Sequence, residues 1–282
     1  MTLDQATRLR RLAADVRSRA RVIAVTSGKG GVGKSNIALN IAIAASRVGR
    51  RVVLIDADLG LANLDVLCGL SSSAGLADVI AGKRRLSDVA LATGYGIDLI
   101  PGASGIAYMA DLPDDDRTRF LAEMQTLEQT SDVIVIDTGA GVARNVVKIA
   151  AAADDCLVVT TPDPTSITDA YAAVKLISRE REHGTISLVV NQASSAREAS
   201  ATAARIISVA GRFLGLPVQY AGFVLSDHYL SRAVRSRRPL LAAFPASPAA
   251  LCIKKLQSRF EKLQPAAAGA GFITKLKKLF GR

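Results

Sequence analysis

The sequence predicts an α/β fold: a mostly parallel central sheet flanked by helices, carrying an N-terminal arm and a C-terminal amphipathic helix. Short apolar runs rich in β-branched residues recur along the chain, and segments of helical spacing separate them. The runs end on polar residues, Asp56, Asp137, Thr160 and Asn191. Continuous apolar strands alternating with helices belong to parallel sheets covered on both faces, which bind ligands at their carboxyl edge. In order, Val22 to Val25 is a strand, followed by glycine punctuation and an apolar helix from Ile37 to Val48. RVVLIDAD, IDLIPG and DVIVIDTG are the next strands, and DCLVVTTP, TISLVVNQ and LPVQYAGFV continue the series. Helices are expected at about 114–130, 142–153, 165–182, 196–214 and 227–236. PAAAGAG (265–271) reads as a flexible linker. The organisation is therefore an arm (1–20), a body (21–263), a linker (264–270) and a terminal helix (271–282).

Composition removes several functional classes. A chain of 282 residues, 49% apolar and 22% charged, suits one packed domain with appendages and not a disordered protein. With no Trp and 4% aromatics, a stacking platform for single-stranded nucleic acid is not expected. The longest uncharged apolar stretch, Pro239 to Ile253, is short and holds three prolines, so it is no membrane span. Cys68, Cys156 and Cys252 are scattered without a CxxC, which points to a reducing compartment. His183 and His228 lie far from any cysteine pair, so no zinc site is expected. The N-terminus is too charged for a signal peptide. The net charge of +11 is uneven: residues 1–20 carry +3, residues 254–282 carry +7, and the body carries +1.

Gly28-Lys29-Gly30-Gly31-Val32-Gly33-Lys34-Ser35 matches GxxxxGK[ST] between a strand and a helix, the context that motif requires. Its glycines let the backbone N–H groups through Gly30, Gly31, Val32 and Gly33 turn inward on phosphates, with Asn36 following. The helix N-terminus adds its dipole to the same anion. Lys34 reaches the β/γ-phosphates and the Ser35 hydroxyl ligates Mg2+.

The second lysine, Lys29, makes KGGVGKS the deviant Walker A form of MinD/ParA-family P-loop ATPases, and the chain resembles that family over most of its length. The resemblance implies ATP as ligand and a homodimer in the ATP state, in which Lys29 crosses to the partner's nucleotide. It also implies Asp137 as the Walker-B metal carboxylate acting through water, and Gly139 and Gly141 as the second switch. In DADLGLANLDVLCGL it assigns Asp56 to the Mg2+ shell and Asp58 to the attacking water, the alternative being that one of them caps the loop. Asn191 matches the asparagine that reads adenine; a strand-end amide satisfying backbone groups is the other reading.

The tails separate members of the family. Phe272, Ile273, Leu276, Leu279 and Phe280 fall within about 120° of one helix face, with Lys275, Lys277 and Lys278 outside it. An apolar stripe flanked by lysines suits an anionic membrane surface, and dimerisation would pair two weak anchors. In the nucleotide-free state the same face is expected to dock on the protein. The N-terminal phrase Asp4-Gln5-Ala6-Thr7-Arg8-Leu9-Arg10 fits DQAxxLR, which opens the FlhG subgroup, also called YlxH or FleN. IPGASGI (100–106), DTGAGV and TPDPTSITDAY (161–171) resemble the same subgroup. That resemblance implies control of flagellar number and placement, with flagellar switch-complex or regulatory proteins as partners. It also implies stimulation of the signal-recognition-type GTPase FlhF through Asp4, Gln5, Leu9 and Arg10. The location implied is cytoplasmic, reversibly peripheral on the inner face of the cell membrane.

Two rivals come from the same family. A ParA-type DNA-partitioning ATPase would use the basic cluster Arg232, Arg235, Arg237 and Arg238, but the near-neutral body makes nucleic acid an unlikely partner. A MinD-type division-site regulator would share the terminal helix and lack the DQAxxLR arm. A nitrogenase-type iron protein is excluded, because no cysteine stands near the second switch.

Overall fold

The computed structural model describes residues 19–58, 63–102, 112–181, 184–262 and 270–280. In chain order the strands and helices are β1 (Arg21–Ser27), α1 (Lys34–Ser46), β2 (Val52–Ala57), α2 (Leu64–Cys68), α3 (Leu76–Ile80), α4 (Leu86–Val89), β3 (Leu91–Ala92), β4 (Ile97–Ile100) and α5 (Asp114–Thr130). They continue with β5 (Val133–Ala140), α6 (Arg144–Ala152), β6 (Asp155–Thr160), α7 (Pro164–Glu180), β7 (Thr185–Ala193), α8 (Ala196–Leu214) and β8 (Val218–Leu225). The last helices are α9 (His228–Arg235), α10 (Leu240–Ala243), α11 (Pro248–Lys262) and α12 (Phe272–Phe280).

The strands form one sheet in the order β3-β4-β2-β5-β1-β6-β7-β8. Every pairing is parallel except β3 with β4 at the edge, where Leu91 and Ala92 return antiparallel. Side chains alternate across each strand, so β1 sends Val22 and Ala24 to one layer and Ile23 and Val25 to the other. The first layer is roofed by α3 to α8 and by α12; the second by α1, α2 and α9 to α11. Helix α1 is apolar almost all round because it runs under the sheet and is covered in turn by α10 and α11.

Helix α12 lies against α5 and α6. Phe272, Ile273, Leu276, Leu279 and Phe280, the five residues expected at a membrane, are all buried in the first layer, while Lys277 and Lys278 stay exposed. Docking on the body, the placement expected alongside the membrane one, is what the structure has. Among the described residues no helix is long and apolar enough to cross a membrane.

Candidate nucleotide site

The parallel register sets the site. β1 ends at the phosphate loop with β5 beside it, and Asp56 of β2 is in register with Asp137 of β5. Both carboxylates therefore stand side by side at the carboxyl edge, next to the loop. Gly33, at φ +87, turns the chain into α1, whose N-terminus carries Lys34 and Ser35. A cleft of about 760 Å³ opens there, lined by the loop and by Asp58, Asn63, Leu67, Gly139, Val146 and Val234, among others.

Lys34 is buried, and its Nζ donates to Asp137 Oδ1 at 2.7 Å and lies 3.6 Å from Asp58 Oδ2. Burial pushes the Asp137 carboxyl above its ordinary range, against the opposing pull of Lys34 and the Ser35 hydroxyl. Asp56 is pushed up to about 6, first by burial and then by the charge of Asp137. Its oxygens accept from the backbone N–H groups of Asp58, Asn63 and Leu64 at 3.1–3.2 Å. Asp56 thus ties Asp58, Asn63 and the start of α2 to the end of β2, the capping role that was the alternative for it. Among the described residues no three carboxylate, histidine or cysteine side chains converge as a metal cage; the oxygens of Asp137 and Ser35 fit Mg2+ as a partial set that nucleotide phosphates would complete. A cation would also relieve the crowding of Asp56, Asp58 and Asp137 around one lysine.

The segment after β5 is tied to the end of β1, since the Gly141 amide donates to Ser27 O at 2.8 Å and Gly141 sits at φ +93. A Cβ on Gly139 would lie 3.4 Å from Val146 of α6 and 3.7 Å from Asp58, so β5, α6 and the Asp58 loop meet at that residue.

Lys29 also lines the cleft, and its Nζ donates to Thr165 Oγ1 at 2.9 Å in an exposed contact at the start of α7. Asn191 is buried and donates from Nδ2 to Val32 O at 2.7 Å, bracing the loop backbone. Gln192 beside it adopts φ 58, unusual for a residue with a side chain, and its amide reaches Gly31 O at 3.4 Å. Sequence reasoning singled out neither Gln192 nor Thr165 nor Asn63 nor Val234. Thr165 lies inside a phrase that resembled the FlhG subgroup, and Asn63 lies in the DADLGLANLDVLCGL segment that drew attention to Asp56 and Asp58; Val234 had no signal. In the basic cluster, Arg232 stacks on Tyr229 and Phe244 at 5.5 and 5.2 Å from the ring centres. Asp4, Gln5, Leu9 and Arg10 lie outside the described residues.

A strand, a glycine loop and a helix N-terminus bearing Lys-Ser, with carboxylates at the tip of the neighbouring strands, define a P-loop nucleotide-binding site. The ParA family profile, described as NUBPL iron-transfer P-loop NTPase, matches residues 18–213. Antiactivator FleN of Pseudomonas aeruginosa is 41% identical over 241 residues, covering 86% of each chain. Flagellum site-determining protein YlxH of Helicobacter pylori is 35% identical over 232 residues, covering 82% of this chain and 78% of that one. The cell division ATPase MinD of Pyrococcus furiosus superposes with a TM-score of 0.69 at 24% identity, covering 87% of this chain and all of that one. The chain belongs to the ParA/MinD family of P-loop ATPases, and it binds and hydrolyses ATP.

Proposed function

We propose that the chain is an ATP-driven switch that dimerises on ATP, binds the inner face of the cell membrane reversibly through α12, and sets flagellar number and placement. The observation that carries this reading is the position of α6: Ala143 before it and Val146 within it line the nucleotide cleft, while its Lys148 donates to Leu279 O of α12. One short helix therefore touches both the switch and the membrane-type face. Similarity to FleN and YlxH supports the flagellar role, and the arm 1–20 is assigned to stimulating an FlhF-type GTPase through Asp4, Gln5, Leu9 and Arg10. Flagellar switch-complex or regulatory proteins are the further partners.

Within the site, Gly30, Gly31, Val32 and Gly33 offer backbone N–H groups to the phosphates, Lys34 pairs with their charge, and Asn36 and Asn191 flank the nucleotide. Ser35, Asp56 and Asp137 would hold Mg2+, which supplies charge neutralisation at the phosphates. Asp58 orients the attacking water. Lys29 acts on the partner subunit's nucleotide. Its exposed bond to Thr165 is worth only about 1 kcal/mol net, so a polyphosphate within reach displaces it readily.

Co-sedimentation with anionic liposomes, using the full chain and a chain lacking 271–282, tests the switch. Binding is expected with ATP, and little with ADP or no nucleotide; deletion should abolish it. Equal binding in all three states refutes the switch, and binding that survives deletion refutes the membrane assignment.

A further inference from the structure

On the sheet edge opposite the phosphate loop, four parts of the chain meet at two carboxylates. Glu128 comes from the last turn of α5 and Asp154 from the turn into β6, and their side chains are only 7% and 10% exposed. Arg19, at the root of the N-terminal arm, grips Asp154 with both terminal nitrogens at 2.7 and 2.8 Å and reaches Glu128 Oε1 at 3.4 Å. The first turn of α12 uses the same oxygens. The Phe272 amide donates to Glu128 Oε1 at 2.9 Å, and Lys275 Nζ donates to Asp154 Oδ1 at 3.1 Å. Gly271 makes the approach possible, since a Cβ there would sit 2.8 Å from Glu128 Oε1. At the far end of the helix Lys148 donates to Leu279 O and stands 4.9 Å from the Phe280 ring centre. The helix is thus clasped by an anion at its N-terminus and a cation at its C-terminus, the arrangement its dipole favours.

We propose that Asp154 and Glu128 form a shared seat that makes the N-terminal arm and the C-terminal helix mutually dependent: a partner that draws Arg19 away loosens α12, and departure of α12 loosens Arg19. With both cations seated, two carboxylates meet two positive charges beneath the cover of α12. Removing Arg19 leaves one buried carboxylate without its ion pair, and an unpaired buried charge is strongly unfavourable while the helix keeps water out. Lifting the helix readmits water and relieves that penalty. Linkage makes the effect reciprocal. Lys275 pulls the other way, but one ammonium cannot neutralise two carboxylates. The coupling requires only that α12 leaves its groove, so it stands whatever the released helix binds.

Hydrogen exchange of the 272–280 amides, read by mass spectrometry on the full chain without lipid or nucleotide, tests this. Arg19→Gln is expected to speed exchange there roughly tenfold, within the usual range of coupling between sites, while 34–46 in α1 keeps its rate. Arg19→Lys should keep most of the protection. Lys275→Gln should also speed exchange, and combined with Arg19→Gln it should give more than the product of the two effects, because both carboxylates then lie unpaired beneath the helix. Lys148→Met, acting at the other end, should multiply with Arg19→Gln. Unchanged exchange in Arg19→Gln overturns the proposal. So does equal acceleration in α1, which would make Arg19 a general stabiliser, and so does a double variant whose effect is no larger than the product of the Arg19 and Lys275 effects.

Discussion

Gly28 is the residue where the phosphate loop has least room, and Gly28→Ala follows directly from the packing. A Cβ placed there lies 2.0 Å from the carbonyl oxygen of Asp169 and 2.8 Å from the amide nitrogen of Ala170, both backbone atoms of α7. Backbone inside a helix cannot swing aside as a side chain can. Reaching ordinary contact, at 3.4 Å or more, requires the loop and α7 to part by about 1.4 Å, a displacement of the kind that overpacking penalises by about 1–3 kcal/mol. For a domain of this size that is a fall in melting temperature of roughly 2–10 °C. The loop moves with its donors, and misplacing binding groups by about 1 Å weakens function up to a hundredfold. Thermal melting and calorimetric titration with ADP read both effects. Gly30→Ala is the matched control, because nothing lies within 4 Å of the point its Cβ would occupy; its melting should stay within about 0.5 kcal/mol of the parent. A Gly28→Ala protein with parental melting and parental ADP affinity would refute the reasoning.

Two further substitutions test the carboxylates. Asp58→Ala is expected to lower ATP turnover by about a hundredfold or more while the ATP-dependent dimer persists by light scattering; loss of the dimer would make Asp58 structural. Asp56, pushed up to about 6, holds its proton more tightly folded than unfolded, so its contribution to stability is present at low pH and is lost as pH rises through about 6. From pH 4.5 to 7 the ligand-free parent should lose about 2 kcal/mol of unfolding free energy relative to Asp56→Asn. A pH-independent difference in denaturant titrations would contradict the burial argument.

The central layers were legible because their physics is local. Runs such as Val133 to Ile136 are continuous in sequence and buried in the sheet, and the 196–214 helix is bounded by a visible cap, Ser195, which accepts from the Glu198 amide. The phosphate loop was readable for the same reason, as its glycines, lysine and serine lie within eight consecutive positions. What escaped depends on distant partners. Helix α11 begins inside the uncharged apolar stretch that was read only against a membrane span, although Pro248 stands at its first position, where proline suits a helix start. Leu91 and Ala92 form a strand only because β4 lies alongside. The three amides that Asp56 accepts belong to a loop whose path no spacing rule gives, and Asn191 faces a carbonyl 159 positions away. Likewise the apolar stripe of α12 was plain, but the groove that receives it is assembled from α5 and α6, far earlier in the chain.

That separation matters during synthesis. The groove is complete once α6 has folded, whereas its cover follows every other element of the described chain. Until those last residues leave the ribosome, the nascent protein displays an uncovered apolar trough bordered by Glu128 and Lys148. Transiently exposed surface of this kind is what favours chaperone capture or aggregation. Helix α12 therefore closes the trough only on chains that have been translated through Phe280.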